Sequence, residues 1–263
     1  MGNDKGRFSG RTVIVTGGTS GIGRGIAVAF GREGANVVVA GRNIDGGRES
    51  TELVEKVGGR AIFVRTDVTE RQELINLIRF SVEHFGRISV LVNNAGMILT
   101  SPVVDVSDEQ WDLVMATNLT SVFILSRQVA RHMIEQGQGG RIINISSVHA
   151  VLSEPNAGPY TASKGGMEAF SRTLAAELAS HRITVNCIRS GAVWTALTAP
   201  LYTPEVVAAL KVRIPVGEIG QPDTIAAGVL YFASDEAWYS TGTTLAIDGG
   251  YIMDGSLPGV TYR

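Results

Sequence analysis

Short aliphatic and β-branched runs alternate with longer amphipathic segments along nearly the whole chain, and this rhythm limits the fold more than any other feature. Several runs are apolar without alternation, which is typical of a parallel sheet covered on both faces. The order predicts an α/β fold with a doubly wound parallel sheet of about seven strands, flanked by helices. The candidate strands are 12–16, 36–40, 61–65, 88–92, 141–145, 184–188 and 244–247, and the candidate helices are 22–33, 46–57, 70–85, 108–136, 160–180 and 222–233.

Length and composition indicate one soluble domain over residues 1–263. Hydrophobic residues make up 44% of the chain and charged residues 18%, an ordinary globular balance with enough apolar material for a large core. We find no internal repeat and no stretch with the composition of a linker. The net charge is −2 and the lysines are scattered, so the chain lacks the basic surface of a nucleic-acid-binding protein.

Cysteine usage and the N-terminal residues predict a cytoplasmic protein. Cys187 is the single cysteine, which excludes an internal disulfide and favours a reducing compartment. Residues 1–7 are polar, and no apolar run approaches the roughly 20 residues needed to cross a bilayer, so no membrane association is expected. The histidines are isolated and lack metal-ligand spacing, so we predict no metal site.

One stretch, residues 192–220, interrupts the alternation of strands and helices. It holds three of the eight prolines together with many aliphatic and aromatic residues. The stretch is too long for an ordinary connection and too apolar for a solvated loop. A mobile lid over a substrate is the favoured interpretation, and a small helical excursion packed on the core is the alternative.

Chemically unusual clusters directly follow six of the predicted strands. Ligands of open α/β sheets bind beyond the carboxyl ends of the strands, so these clusters are expected to meet in one cleft. They are 16–23 (Thr-Gly-Gly-Thr-Ser-Gly-Ile-Gly), Gly41-Arg42, Asp67-Val68, 93–96 (Asn-Asn-Ala-Gly), Ser146-Ser147 and Ser190-Gly191.

The first cluster has the pattern of a phosphate-binding loop. Gly17, Gly21 and Gly23 lie between a predicted strand and the start of a predicted helix. Glycines let backbone N–H groups approach a phosphate closely, and the helix N-terminus adds partial positive charge. The position after the first strand makes this a strong dinucleotide signal.

The end of the second strand bears on the type of dinucleotide. A carboxylate at this point usually binds the 2′-hydroxyl of an adenosine ribose, and here there is none. Arg42 instead offers a planar fork that suits a 2′-phosphate. The sequence therefore favours NADP(H), with NAD(H) as the alternative.

Tyr160 and Lys164 have the spacing of a proton-transfer pair. Residues four apart share a face of a helix, so the ammonium can lie beside the phenol. A phenol has an ordinary pKa of about 10, which is high for a general base near neutrality. We expect Lys164 to lower the pKa of Tyr160, so that the phenol exchanges protons with an alcohol or a carbonyl.

With these motifs, residues 10–250 resemble the short-chain dehydrogenase/reductases, a family of single-domain Rossmann-type enzymes. The family pattern Thr-Gly-x-x-x-Gly-x-Gly is met at 16–23, and Asn-Asn-Ala-Gly at 93–96. By the same resemblance, Asn118, Ser147, Tyr160 and Lys164 match the catalytic tetrad. The resemblance implies that Tyr160 is the general acid/base and that Ser147 binds the substrate oxygen. Asn118 would support a water that relays protons to Lys164.

The resemblance also supplies a full set of cofactor-binding residues. Asp67 and Val68 would contact adenine, Lys164 would hold the nicotinamide ribose, and Thr195 would bond the carboxamide. The predicted set is Gly17, Thr19, Ser20, Gly21, Ile22, Gly23, Gly41, Arg42, Asn43, Asp67, Val68, Asn94, Ala95, Gly96, Tyr160, Lys164, Gly191, Val193 and Thr195.

Two further segments bear on the resemblance. Ser190 stands where the family usually has proline, and we expect a freer loop with weaker cofactor positioning at worst. Residues 241–250 resemble a last-strand segment that many relatives use to form tetramers, so a homotetramer is expected.

The leading functional hypothesis is hydride transfer between NADP(H) and a small-molecule ketone or secondary alcohol, as in 3-oxoacyl-carrier-protein-reductase-like enzymes and general carbonyl reductases. A carrier protein is acidic and needs a basic docking face. Arg127, Arg131 and Arg172 could contribute to one, but Ala176 stands where another basic residue is expected, which disfavours that substrate.

Two alternatives stay open. Residues 146–149 and 162–167 look similar to bacterial glucose dehydrogenases, which suggests a sugar or polyol dehydrogenase. His149 either faces the substrate pocket or makes an ordinary loop hydrogen bond. However, Ala150 replaces an acid at the next position, and the apolar lid suits a hydrophobic ketone better than a hexose. A non-catalytic dinucleotide-sensing protein is the other alternative, although such a protein has no need of the tetrad.

Overall fold

A computed structural model describes residues 6–254; residues 1–5 and 255–263 of the domain predicted over 1–263 lie outside it. The strands are β1 Thr12–Thr16, β2 Asn36–Gly41, β3 Arg60–Arg65, β4 Val90–Asn93, β5 Gly140–Ser147, β6 Ile183–Ser190 and β7 Thr244–Ile247. The α-helices are α1 Gly21–Arg32, α2 Ile44–Lys56, α3 Arg71–Phe85, α4 Asp108–Met115, α5 Ser121–Gln136, α6 Gly158–Leu178, α7 Pro204–Arg213 and α8 Pro222–Ala233.

The strands form one seven-stranded parallel sheet in the order β3-β2-β1-β4-β5-β6-β7. The chain runs outward from β1 to β3, then returns across the sheet to β4 on the other side of β1. A crevice opens where the strand order reverses in this way, and it is the usual ligand site of such sheets. The predicted doubly wound, Rossmann-type sheet is confirmed.

Apolar side chains are buried on both faces of the sheet. In β1, Val13 and Val15 pack with Phe30 of α1 on one face, and Ile14 packs with Leu125 of α5 on the other. Successive side chains of a strand point to opposite faces, so a strand buried on both sides must be apolar throughout. This explains why the strands of the sequence lack polar alternation.

Strand β5 extends further than the hydrophobic pattern predicts. Its apolar run ends at Ile145, but pairing with β6 continues to the partners Ser147 and Ser190. Backbone hydrogen bonds between neighbouring strands do not depend on apolar side chains, so the polar end of the strand remains in the sheet. As a result, Ser146 and Ser147 lie at the carboxyl end of β5.

The helix predicted over 108–136 is interrupted by a π-helical turn at Ala116–Thr120, which separates α4 from α5. Asn118 lies in this turn with its side chain fully buried. Its amide bonds Met97 and Ser163, which belong to other parts of the chain. The π-turn therefore coincides with long-range hydrogen bonds, a setting in which such turns often mark functional sites.

The continuous helical stretch Asp108–Gln136 is long and apolar enough, by length and composition alone, to span a membrane. The expectation that no segment reaches this threshold is therefore wrong. Half of its most apolar window is buried inside the protein, however. Leu125, Val129 and Met133 lie in the core beneath the sheet, and this burial accounts for the hydropathy of the stretch.

The segment 192–220 leaves the end of β6 as a small helical excursion. It contains a short helical turn at Ala199–Leu201 and helix α7, whose N-cap Thr203 accepts a hydrogen bond from Val206. Its two ends are joined, because Val193 pairs with Gly220. No residue of α7 is buried, so this helix stands away from the core instead of packing into it.

Candidate active site

A cavity of about 920 Å³ opens along the carboxyl edge of the sheet. All of the cofactor-binding residues predicted from the sequence line it, from Gly17 on the first loop to Thr195 at the start of the lid segment. Of the predicted tetrad, Ser147, Tyr160 and Lys164 line the cavity as well. The clusters that follow separate strands are thus brought together, as the strand-end argument predicts.

The glycine-rich loop has the backbone shape that the phosphate-binding prediction requires. Gly17 and Gly21 adopt φ values of 63° and 51°, in the left-handed region that L side chains rarely enter. A Cβ on Gly23 would lie 2.2 Å from the carbonyl oxygen of Gly17. These glycines therefore keep the start of α1 open, and the loop fits a dinucleotide pyrophosphate.

Residues that directly follow the fourth strand fasten this loop. The Thr16 hydroxyl accepts hydrogen bonds from the backbone N–H groups of Asn94 and Ala95, each at 3.0 Å. The Asn94 amide donates to the Thr16 carbonyl at 2.9 Å. Next to it, Asn93 donates to the buried Asn144 side chain at 2.8 Å and so joins β4 to β5.

Arg24 makes structural contacts that were not predicted from the sequence. Its guanidinium donates to the Thr19 carbonyl at 2.7 Å, to the Ser50 hydroxyl at 3.0 Å and to the Glu49 carboxylate. The side chain thereby ties the glycine-rich loop to α2. An arginine in the first helix gives no sequence signal of this role, because its partners lie 25 and 26 residues further along the chain.

At the adenosine end of the cavity, Arg42 points largely into solvent, with 75% of its side chain exposed. Its guanidinium lies 3.7 Å from the Asp67 carboxylate. Burial by itself raises the pKa of Asp67, but hydrogen bonds from Thr69 and the charge of Arg42 outweigh it, so that the pKa lies below its ordinary value. Arg42 is thus a cation that a phosphate can reach.

Tyr160 lines the cavity beside Ser147, whose hydroxyl interacts with the phenol. Burial raises the pKa of the phenol above its ordinary value, and the hydrogen bond with Ser147 offsets part of this rise. The Ser147 hydroxyl also accepts a hydrogen bond from the backbone N–H of His149 at 3.2 Å. The prediction that Lys164 lowers the pKa of Tyr160 is wrong, because burial dominates.

Lys164 is almost fully buried behind the tyrosine, with its Nζ 5.7 Å from the centroid of the Tyr160 ring. The ammonium donates to the Ile145 carbonyl at 2.8 Å. Burial lowers the pKa of Lys164 to about 8. The helical spacing of four residues does bring the two side chains together, as the sequence predicts.

Asn118 does not line the cavity but lies one layer behind it. Its Oδ1 accepts from the Met97 N–H at 2.9 Å, and its Nδ2 donates to the Met97 carbonyl at 2.8 Å and to Ser163 at 3.1 Å. Atoms of Asn118 and Lys164 both lie around Gly96, where an added Cβ would be 3.4 and 3.5 Å from them. The predicted tetrad is therefore spatially contiguous.

A partly buried ion pair next to Ser146 supports the end of the sheet. Glu168 on α6 receives hydrogen bonds from the Arg189 guanidinium at 2.8 and 2.6 Å and from the Ser146 hydroxyl at 2.8 Å. No sequence pattern indicates this pair, since its members belong to different elements. Ser146 is held by the scaffold, whereas Ser147 is the serine that reaches Tyr160.

The lid segment and the loop after β5 form the remaining wall. Tyr202 packs edge-to-face on Trp194 at 5.0 Å, and the Thr198 hydroxyl donates to the Val193 carbonyl at 2.7 Å. In the loop after β5, His149 and Glu154 also line the cavity. Ser190, in the place of the family proline, ends β6 between its partners Ser147 and Ile247.

Within residues 6–254, no group of three or more His, Cys, Asp or Glu side chains is arranged to hold a metal ion. Cys187 is buried, and burial raises the pKa of its thiol to about 11. This thiol is therefore protonated at neutral pH, as expected of a structural cysteine.

Comparison with known proteins identifies the family. Residues 17–252 match the model of a family described as enoyl-(acyl carrier protein) reductase. The chain is 41% identical over 248 residues to 3β-hydroxysteroid dehydrogenase 1 of Eggerthella lenta, covering 94% of this chain and 95% of that one. It is 36% identical over 249 residues to an NADP-dependent (R)-specific alcohol dehydrogenase of Lentilactobacillus kefiri, covering 93% and 98%.

Among solved structures, a protein of Agrobacterium tumefaciens assigned as a gluconate dehydrogenase superposes with a TM-score of 0.90 at 31% identity, covering 95% of this chain and 98% of that one. The chain belongs to the short-chain dehydrogenase/reductase family. It is an NAD(P)(H)-dependent oxidoreductase that acts on CH–OH groups and the corresponding carbonyls.

Proposed function

We propose that this enzyme uses NADP(H) to interconvert ketones and secondary alcohols, with Tyr160 as the general acid/base. The observation that carries the proposal is the contact between the Tyr160 phenol and the Ser147 hydroxyl in the cavity, in front of the buried Lys164. Two hydroxyl groups that meet in a cleft can bind one substrate oxygen together. The nicotinamide, when bound, supplies or accepts the hydride.

The residues of the chain divide the proton chemistry between them. Because the pKa of Tyr160 is raised, its phenol carries a proton at neutral pH and can donate it to a carbonyl oxygen. Ser147 donates a second hydrogen bond to that oxygen and stabilises the charge that develops on it. Lys164, charged below about pH 8, then stabilises the phenolate that Tyr160 becomes. Asn118 supports the proton relay to Lys164 through its contacts with Met97 and Ser163.

The cofactor preference that we propose rests on Arg42. This guanidinium is exposed at the adenosine end of the cavity, where a 2′-phosphate can accept its hydrogen bonds. The glycine-rich loop would bind the pyrophosphate, Asp67 and Val68 the adenine, and Thr195 the nicotinamide carboxamide. The Asp67 carboxylate already lies beside the Arg42 guanidinium and shares its charge. We therefore expect NAD(H) to bind more weakly than NADP(H) but not to be excluded.

The test compares wild type with Tyr160→Phe. We expect the variant to bind NADPH normally, because the ring is kept, but to reduce ketones at least a thousandfold more slowly, because one proton donor is lost. Reduction of ketones and oxoacyl thioesters is followed by loss of NADPH absorbance, oxidation of sugars by its gain with NADP+, and cofactor binding by NADPH fluorescence. Equal turnover by the two proteins contradicts the assigned role and leaves the dinucleotide-sensing alternative open.

Sugar or polyol oxidation is the second candidate. It is favoured by the polar pair His149 and Glu154 in the cavity and by the similarity to a protein assigned as a gluconate dehydrogenase. The apolar lid weighs against it. We further propose that residues 1–263 form one domain and that the enzyme acts in the cytoplasm as a homotetramer.

A further inference from the structure

The half of the cavity beyond Ser147 and Tyr160 is mostly apolar. Leu197 and Leu201 of the lid segment are 59% and 56% exposed. Both line the cavity, so a bound apolar molecule would cover them. The aliphatic residues of this wall are Ile98, Leu113, Leu197, Leu201, Val206 and Leu210.

His149 and Glu154 interrupt this apolar lining. The Nε2 of His149 lies 3.5 Å from the Oε2 of Glu154, which is longer than an ordinary hydrogen bond. The imidazole is also close to the reacting groups, with its ring centroid 6.3 Å from that of Tyr160. The polar pair is therefore beside the acid/base residue and not at a distant rim.

The protonation states of His149 and Glu154 determine which chemical group the pair can bind. Burial lowers the pKa of His149, outweighing the opposite effect of Glu154, so the imidazole is neutral at physiological pH. Its Nδ1 is buried without a hydrogen-bond partner, which leaves Nε2 as the nitrogen that faces Glu154. A neutral imidazole with its proton on Nε2 donates one hydrogen bond, and the carboxylate accepts one. A hydroxyl group matches both, since it accepts and donates at once.

We propose that His149 and Glu154 are specificity-determining residues that together bind a second hydroxyl group on a predominantly apolar ketone. The inference rests on the proposed function, because it concerns the substrate of the same site. The substrate class is a bulky aliphatic ketone, or the corresponding alcohol, that carries a hydroxyl close to the reacting carbonyl. The aliphatic wall binds the hydrocarbon frame and the pair binds the hydroxyl.

The experiment measures kcat/KM with NADPH for 2-decalone and for a set of hydroxy-2-decalones that differ in hydroxyl position. We expect wild type to prefer at least one hydroxylated member about tenfold or more, because a site built to bond a hydroxyl discriminates against its absence. Glu154→Leu and His149→Phe should each reduce this preference to about twofold or less. Glu218→Leu, on the lid but outside the cavity lining, should keep it and serves as the matched control.

The outcomes separate the inference from the function on which it rests. No preference in wild type, or the same preference in both pair variants as in wild type, overturns the inference alone. Failure of wild type to reduce any ketone overturns both. Because Glu154 is 45% exposed, its substitution is not expected to prevent folding, and NADPH fluorescence verifies that each variant retains its cofactor site.

Discussion

Lys164 shows how burial and function compete at a single residue. The folded protein releases the proton of this ammonium near pH 8, whereas the unfolded chain keeps it up to about pH 10.4. The unfolded state therefore binds more protons between these values, and the stability contributed by this position rises as the pH rises above 8. Below pH 8 Lys164 is charged in the folded protein, and burial of this charge lowers the free energy of unfolding by its full amount.

Lys164→Met removes the buried charge and, with it, the pH dependence of stability that this position contributes. We expect the variant to gain unfolding free energy relative to wild type at pH 7, and this advantage to shrink by about 1 kcal/mol between pH 8 and 9. Urea unfolding of both proteins across this range measures the difference. Lys211→Met, at an exposed lysine of α7, is the control and should show a constant difference. A constant difference for Lys164→Met as well would contradict the lowered pKa.

Arg42 carries the second residue-scale prediction, the preference for NADP(H). Hydrogen bonds to a charged group contribute about 1.5–3 kcal/mol, which corresponds to about 10–100-fold in affinity. Arg42→Ala should raise the KM for NADPH by this factor and change the KM for NADH by less than about threefold. Arg48→Ala on the same surface, outside the cavity lining, is the matched control. A clear preference of wild type for NADH would end the NADP hypothesis.

At the scale of single residues, the sequence predicted where the site residues lie better than it predicted their burial and their pKa values. The motif at 160–164 located Tyr160 and Lys164 correctly in one cavity, because helical spacing alone decides which side chains share a face. The direction of the tyrosine pKa depended on burial, which no local pattern reports. Glu168 and Arg189 were missed for a related reason: their pairing is created by the packing of α6 on β6.

At the scale of elements, hydrophobic periodicity was sufficient to predict most helices and strands. Features that depend on hydrogen bonds between distant parts of the chain were not predicted. Strand β1 and helix α8 have the predicted bounds, since their hydrophobic patterns coincide with their pairing and packing. Strand β5 is longer than predicted, because backbone pairing with β6 continues through two serines. The π-helical turn at Ala116–Thr120 was not predicted, since the bonds of Asn118 to Met97 and Ser163 come from other elements.

The lid segment is the element from which we expect motion. Helix α7 has no buried residue, and the segment is joined at its base by the pairing of Val193 with Gly220. Elements with few buried contacts open most easily. We expect trypsin to cleave wild type first at Lys211 or Arg213, and NADPH with a bulky ketone to slow this cleavage at least threefold. Mass spectrometry of the fragments identifies the sites; unchanged cleavage rates would show that the segment does not close over ligands.

At the scale of the whole molecule, the reversal of strand order determines where function lies. Residues from six different strand ends reach one cavity because parallel strands all point their carboxyl ends the same way. This arrangement follows from topology, so the sequence could predict the convergence of the clusters without any knowledge of side-chain packing. The shape of the lid over that cavity could not be predicted in the same way.

The edge of the sheet carries the prediction on assembly. Strand β7 is the last strand, and Leu245 on it is 38% exposed, in line with the expected tetramer contact of residues 241–250. Leu245→Glu should lower the mass measured by light scattering from that of a tetramer, because it places a charge in an apolar contact. Val212→Glu on the lid, at a residue 87% exposed, should leave the mass unchanged. A monomeric wild type would refute the tetramer.

The π-helical turn between α4 and α5 has a consequence for how this scaffold can diversify. A turn of this kind holds one extra residue, which rotates everything after it by about 100° relative to an uninterrupted helix. Leu113, before the turn, lines the cavity, whereas Leu125 and Met133, after it, lie in the hydrophobic core beneath the sheet. The two helices therefore face different parts of the protein. Substitutions in α4 can change the shape of the cavity while the packing of α5 in the core stays the same.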